Sequence, residues 1–120
     1  MKIFRNNNWI EGKGELAYRK RVLMGNVPSS VNLIEDVVIP AGGRIPPHAH
    51  KVTTELFYVT KGKAKMKVNE KEFEVKPRDM VLVEVKESHS FVNDSKGDFE
   101  MIVMKINFKK DDAILYEARK

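Results

Sequence analysis

The stretch from Lys61 to Val75 constrains the fold more than any other. Lys61, Lys63, Lys65 and Lys67 alternate with Gly62, Ala64, Met66 and Val68. That is the two-residue period of a half-buried strand. After Asn69-Glu70 the chain runs Lys71-Glu72-Phe73-Glu74-Val75. Closed as a tight hairpin, the two runs set Lys67 opposite Glu72 and Lys65 opposite Glu74. On the other face Met66 meets Phe73 and Ala64 meets Val75. Opposed charges outside and opposed apolar groups inside are what a stable antiparallel pair requires.

The rest of the chain is built from similar short segments. Residues 18–24 read as a strand ending at Gly25-Asn26, with a turn at Pro28-Ser29-Ser30. Residues 31–39 form another, with apolar side chains on both parities. Glu35 interrupts one of those faces, so it either turns into a polar cavity or sits at an exposed edge. Pro40-Ala41-Gly42-Gly43 is a turn, and Pro46-Pro47 stiffens the approach to His48. Residues 55–60 are rich in β-branched and aromatic side chains, hence strand. If Glu55 points inward, Phe57 and Val59 do too, and Leu56 and Tyr58 point out. An apolar outer face implies a covering sheet or a partner chain. Residues 80–85, 88–93 and 99–108 are further strands, the last apolar on both faces and so central or at an interface. Ile3-Phe4 and Trp9-Ile10 are anchors for a barrel end or an exposed edge. Residues 113–116 are a short apolar tail with no clear period. Many short strands, tight turns and no amphipathic helix predict an all-β barrel or sandwich.

At 120 residues the chain is expected to form one domain, 1–120. It has no cysteine, so any metal must be held by nitrogen and oxygen. The start is too polar for a signal peptide, and nothing approaches the ~18 apolar residues of a membrane span. A cytoplasmic protein with no membrane partner is expected. Absence of glutamine, with much lysine and glutamate, leans towards a thermophilic source. The net charge of +5 raises nucleic-acid binding. The hairpin explains its lysines as a charge-paired outer face, however, and no aromatics are interleaved to stack on bases. No nucleic-acid partner is expected.

The chain has three histidines. His48 and His50 share one face of a strand, about 7 Å apart. Glu55 follows on the next strand and His89 comes from another. A lone histidine reads most simply as a hydrogen-bonded core or surface residue. Three with an acid at matching positions point to a metal site. Three neutral imidazoles and one carboxylate leave a charge of about +1 around a divalent ion, and octahedral geometry leaves exchangeable positions. Iron, manganese, nickel, cobalt, copper and zinc all suit such a donor set.

Gly42, His48, His50, Glu55 and Gly62 resemble the first motif of the cupin family at every fixed position, over residues 42–62. In the second motif, residues 78–93, His89 and Asn93 match. Arg78, Glu84 and Lys86 stand where the family has Gly, Pro and Gly, which puts the turns around them in question. The fifteen residues between Gly62 and Arg78 are similar to the spacing of compact microbial cupins. The resemblance implies a six-stranded conical double-stranded β-helix with extra flanking strands. It implies one divalent transition metal ion on His48, His50, Glu55 and His89, a small-molecule ligand or substrate, and a homodimer. Dioxygenase, isomerase and decarboxylase chemistry all stay open, with a non-enzymatic metal-binding or small-molecule-binding module as the alternative. Glu35, Tyr18, Arg44 and Lys105 are candidate acids or bases, with Asn93 as an orienting group. Phe57, Phe91, Met24, Met66 and Met104 read as barrel wall.

Overall fold

The described residues form eleven strands, which follow the segments set off by turns. They are β1 (Ile10–Glu11), β2 (Arg19–Gly25), β3 (Val31–Ile39), β4 (Arg44–His50), β5 (Thr54–Lys61), β6 (Ala64–Val68), β7 (Lys71–Val75), β8 (Met80–Val83), β9 (His89–Val92), β10 (Phe99–Ile106) and β11 (Ala113–Leu115). The structure is a computed structural model and describes residues 1–5, 8–12 and 16–115. Among them there is no α-helix, and hence none long and apolar enough to cross a membrane.

Two antiparallel sheets carry these strands, in the orders β1-β2-β3-β10-β5-β8 and β11-β4-β9-β6-β7. Four strands of each, β3-β10-β5-β8 and β4-β9-β6-β7, face one another as a double-stranded β-helix. The flanking strands are β1 and β2 on one sheet and β11 on the other. Val37, Ile39, Phe57, Val59, Met101 and Val103 from the first sheet pack on Ala64, Met66, Val75 and Phe91 from the second. Phe91 ties the sheets together, its ring centroid 5.2 Å from Phe57 and 6.0 Å from Phe99. Removing this apolar surface from water is the main force holding the sheets face to face.

The β6–β7 hairpin has the expected register: Ala64 opposite Val75, Lys65 opposite Glu74, Met66 opposite Phe73 and Lys67 opposite Glu72. The Lys65 ammonium, however, pairs with Asp94 at 3.1 Å. On β5, Glu55, Phe57 and Val59 are buried and Leu56 and Tyr58 half-exposed. β10 lies between β3 and β5, the central place expected of it, with one face buried and the other half-exposed. Its outward residues belong to an apolar row that crosses the sheet. Met24, Ile34, Met104, Leu56 and Leu82 are successive cross-strand partners on β2, β3, β10, β5 and β8. Met24 and Met104 thus face out, whereas Met66 is core.

Of the two N-terminal anchor pairs, only Trp9 is partly covered; Ile10 is exposed, as are Ile3 and Phe4. Trp9 receives the Arg19 and Arg21 guanidinium groups at 4.9 and 4.5 Å from its ring. The C-terminal segment is a strand rather than a periodless tail. β11 pairs with β4, Ala113 opposite His50 and Leu115 opposite His48. Three residues are too few for a period to show. Tyr116 lies outside the described residues.

The second-motif turns persist without their glycines. Arg78 and Lys86 adopt φ of 77° and 67°, the left-handed region. Each turn is tied down, Arg78 N–H donating to the Val59 carbonyl at 2.9 Å and Lys86 N–H to the His50 carbonyl at 2.8 Å. Glu84 replaces the family's proline, and its N–H donates to Glu87 Oε1 at 2.9 Å, a bond proline cannot make.

Candidate metal centre

The strands aim their polar side chains at one point. Proline lacks an N–H, so Pro46-Pro47 interrupts the β4 ladder. The register of β4 on β9 shifts between Ile45 and His48, and His48 ends up directly opposite His89. His50 lies two residues on, and the inward parity of β5 delivers Glu55. The His48 ring centroid is 5.3 Å from that of His50 and 4.3 Å from that of His89. One potential ligand atom from each of His48, His50, Glu55 and His89 lies within 4.8 Å of the others, a cluster that can hold a metal ion. His50, Glu55 and His89 are buried and His48 half-buried.

Each imidazole has its Nδ1 engaged away from the centre. His48 Nδ1 is 2.9 Å from the Pro46 carbonyl, His89 Nδ1 is 3.0 Å from the Glu87 carbonyl, and His50 Nδ1 is 2.8 Å from Asp112 Oδ1. A carbonyl oxygen only accepts, so in the neutral rings Nδ1 donates and Nε2 is left with a lone pair. His50 Nε2 and His89 Nε2 approach Glu55 Oε1 at 3.1 and 2.8 Å. With Nδ1 protonated neither Nε2 has a proton to donate, and all three atoms are buried without a hydrogen-bond partner. Buried polar atoms left this way are costly. Converging lone pairs from imidazoles and a carboxylate fit a divalent transition metal ion, which would satisfy them together.

Charge follows the same geometry. Burial, with the nearby His89, pushes the His48 imidazole down to about 4. Burial also acts downward on His50, but Glu55 and Asp112 outweigh it and raise the pKa. Burial acts upward on Glu55, yet the proximity of His50 and His89 and the Lys105 charge hold it well below the carboxylate range.

Asp112 escaped the sequence reading. Its carboxylate takes His50 Nδ1–H, the N–H groups of Val52 and Thr53 at 3.1 and 3.0 Å, and the Thr53 hydroxyl at 2.8 Å. Against the upward push of burial, the His50 contact and these donors lower it to about 2. A carboxylate behind a histidine fixes the ring's orientation and tautomer. The only sequence signal was an acid just before a short apolar segment, which is common.

A cupin domain model matches residues 35–105, more than half the chain. The chain belongs to the cupin family. An oxalate-binding protein of Thermotoga maritima is 26% identical over 100 residues, covering 83% of each chain. Among solved structures, a double-stranded β-helix protein of Klebsiella pneumoniae superposes with a TM-score of 0.75 at 14% identity, over 90% of this chain and 91% of that one. A Streptomyces protein solved with uridine gives 0.74 at 14% identity, over 92% and 85%.

In this cupin the cluster opens onto a cavity of about 200 Å³. Tyr18, Lys20, Glu35 and Lys105 supply its other polar groups, and Val37, Phe57, Phe91, Met101 and Val103 its apolar wall. Of the two options for Glu35, the structure takes the cavity. Arg44 is elsewhere, on a surface groove with Lys65, Lys67 and Glu72. Asn93 orients nothing at the cluster. Its side-chain amide donates to the Ile39 and Gly97 carbonyls at 2.7 and 2.9 Å. Its backbone pairs with Gly42 and Gly43, so the second motif's asparagine pins the first motif's glycine turn.

Proposed function

We propose that residues 1–120 are a single cupin domain that holds one divalent transition metal ion on His48, His50, Glu55 and His89. It presents that ion to a small, oxygen-chelating metabolite as a metal-dependent enzyme of the dioxygenase, isomerase or decarboxylase class. The observation that carries this reading is the buried, unpartnered trio of His50 Nε2, His89 Nε2 and Glu55 Oε1. A bound ion would supply Lewis acidity to substrate oxygens or a site for dioxygen. The chain itself orients the imidazoles through Pro46, Glu87 and Asp112 and shields the centre with an apolar wall. It also places acid–base groups, Glu35, Lys105 and Tyr18, on the same cavity. We read the apolar row on the outer face as the contact with a second copy in a homodimer.

A non-enzymatic binding module is the second reading, favoured by the relative that is an oxalate-binding protein. Turnover of an oxygen-chelating metabolite distinguishes the two, whereas both need the metal. Elemental analysis of protein purified without added metal is the test, with about one equivalent of a single transition metal expected. Less than about a tenth of an equivalent, with no uptake when metals are offered, would sink both readings. His50→Ala should lose most of the metal while circular dichroism shows an intact barrel.

A further inference from the structure

Lys105 and Glu35 are charged residues inside the barrel, 8% and 5% exposed, and neither belongs to the ligand cluster. β10 sets Lys105 beside Glu55 on the neighbouring strand, lining the same cavity. Its Nζ is 3.1 Å from Glu35 Oε1 and 3.9 Å from Glu55 Oε2. It also lies 5.2 Å from the centroid of the Phe108 ring. The other Glu35 oxygen lies 3.6 Å from Lys20 Nζ.

Buried charge is tolerated when it is paired. Here the pairing is lopsided. Two ammonium groups share the Glu35 carboxylate, and the Glu55 carboxylate, more distant from Lys105 at 3.9 Å, faces the imidazole cluster where the ion would sit. The Lys20, Lys105 and Glu35 group therefore carries one surplus positive charge towards the cavity. A divalent ion on Glu55 adds another. The surrounding wall, Val37, Phe57, Phe91, Met101 and Val103, offers nothing to neutralise them. An ammonium has three donors, and one carboxylate at hydrogen-bond distance leaves it capacity for a ligand.

We propose that Lys105, steadied by Glu35 and Phe108, is the carboxylate receptor of this cavity. The ligand is then a small anion bearing a second oxygen on the adjacent carbon. Its oxygens reach the ion, and a carboxylate oxygen takes the Lys105 ammonium. A cavity of about 200 Å³ suits a small ligand, and uncharged chelators are disfavoured. This rests on the metal-site reading above and adds the class of ligand and the residue that selects it. A lysine present only to fill the barrel would leave anion affinity untouched when replaced.

The experiment is calorimetric titration of the metal-loaded full chain with oxalate and with oxamide, its uncharged isostere. Metal content is measured in every sample. Lys105→Met keeps Glu35 paired with Lys20, so it leaves no carboxylate orphaned. It should weaken oxalate binding on the order of 10- to 100-fold, with oxamide binding and metal content unchanged. Lys105→Arg, which keeps the charge, should retain most oxalate affinity. Unchanged oxalate affinity in Lys105→Met at full metal content overturns the receptor role alone. Absence of metal from the wild-type chain overturns the metal reading and this inference together. Should Lys105→Met fail to fold, Lys105→Gln replaces it, and a wild-type chain that binds oxalate no better than oxamide already refutes the proposal.

Discussion

His50 sits between two carboxylates, Glu55 at 3.1 Å and Asp112 at 2.8 Å, and that position governs how protons and metal compete for it. Both carboxylates favour the protonated ring, so its pKa is raised despite burial. A metal needs the neutral ring, so it competes with the proton that the two carboxylates favour. Apparent metal affinity therefore rises with pH until the raised pKa is passed. His48, lowered to about 4, is already neutral over this window and contributes no proton. Calorimetry in buffers of different ionisation heat should show net proton release on metal binding that diminishes as pH rises. In Asp112→Ala the release should shrink, because one carboxylate favouring the charged ring is gone. Metal affinity should fall on the order of 10- to 100-fold, since nothing then fixes the ring. Equal release and equal affinity in the two proteins would remove Asp112 from this role. His48, His50 and Glu55 were legible because strand parity and spacing are local properties, and His89 through its place in the second motif. Asp112 was not, since it stands 62 residues from His50 and only tertiary pairing brings them together.

At the level of strands and turns, most strand segments and the β6–β7 pairing could be read from the sequence, but the order of strands in the two sheets could not. The β6–β7 register was fixed by alternation and charge, both visible in the residues themselves. β11 was invisible, because its order comes from β4 rather than from any pattern of its own. Glu35 was ambiguous for a related reason: its direction depends on whether the two sheets leave a cavity beside it. The turns at Arg78 and Lys86 show tertiary bonds overriding local preference. A non-glycine residue in the left-handed region costs roughly 1–2 kcal/mol, offset in part by the greater chain entropy of glycine. Lys86→Gly should thus raise stability by about 1 kcal/mol, read as a higher denaturation midpoint with an unchanged slope. Gly62→Ala should go the other way. Gly62 also has positive φ, and its added Cβ would overlap the Asp98 carbonyl.

In the molecule as a whole, the outer face of the six-stranded sheet carries the apolar row described above. Leu82 and Met80 are each 54% exposed at its edge strand, next to the half-exposed Leu56 and Tyr58. If this face joins two copies, Leu82→Lys should shift sedimentation from dimer to monomer without lowering the metal content. Two proteins that both sediment as monomers would rule the face out as a self-contact. The order of residues along the chain adds a further consequence. During translation, His48, His50, Glu55 and His89 all leave the ribosome before Asp112 and β11. A nascent chain that has just completed β10 owns every clustered side chain but lacks the carboxylate behind His50 and the strand that edges β4. The support behind His50 is therefore completed only after all four clustered side chains have been made.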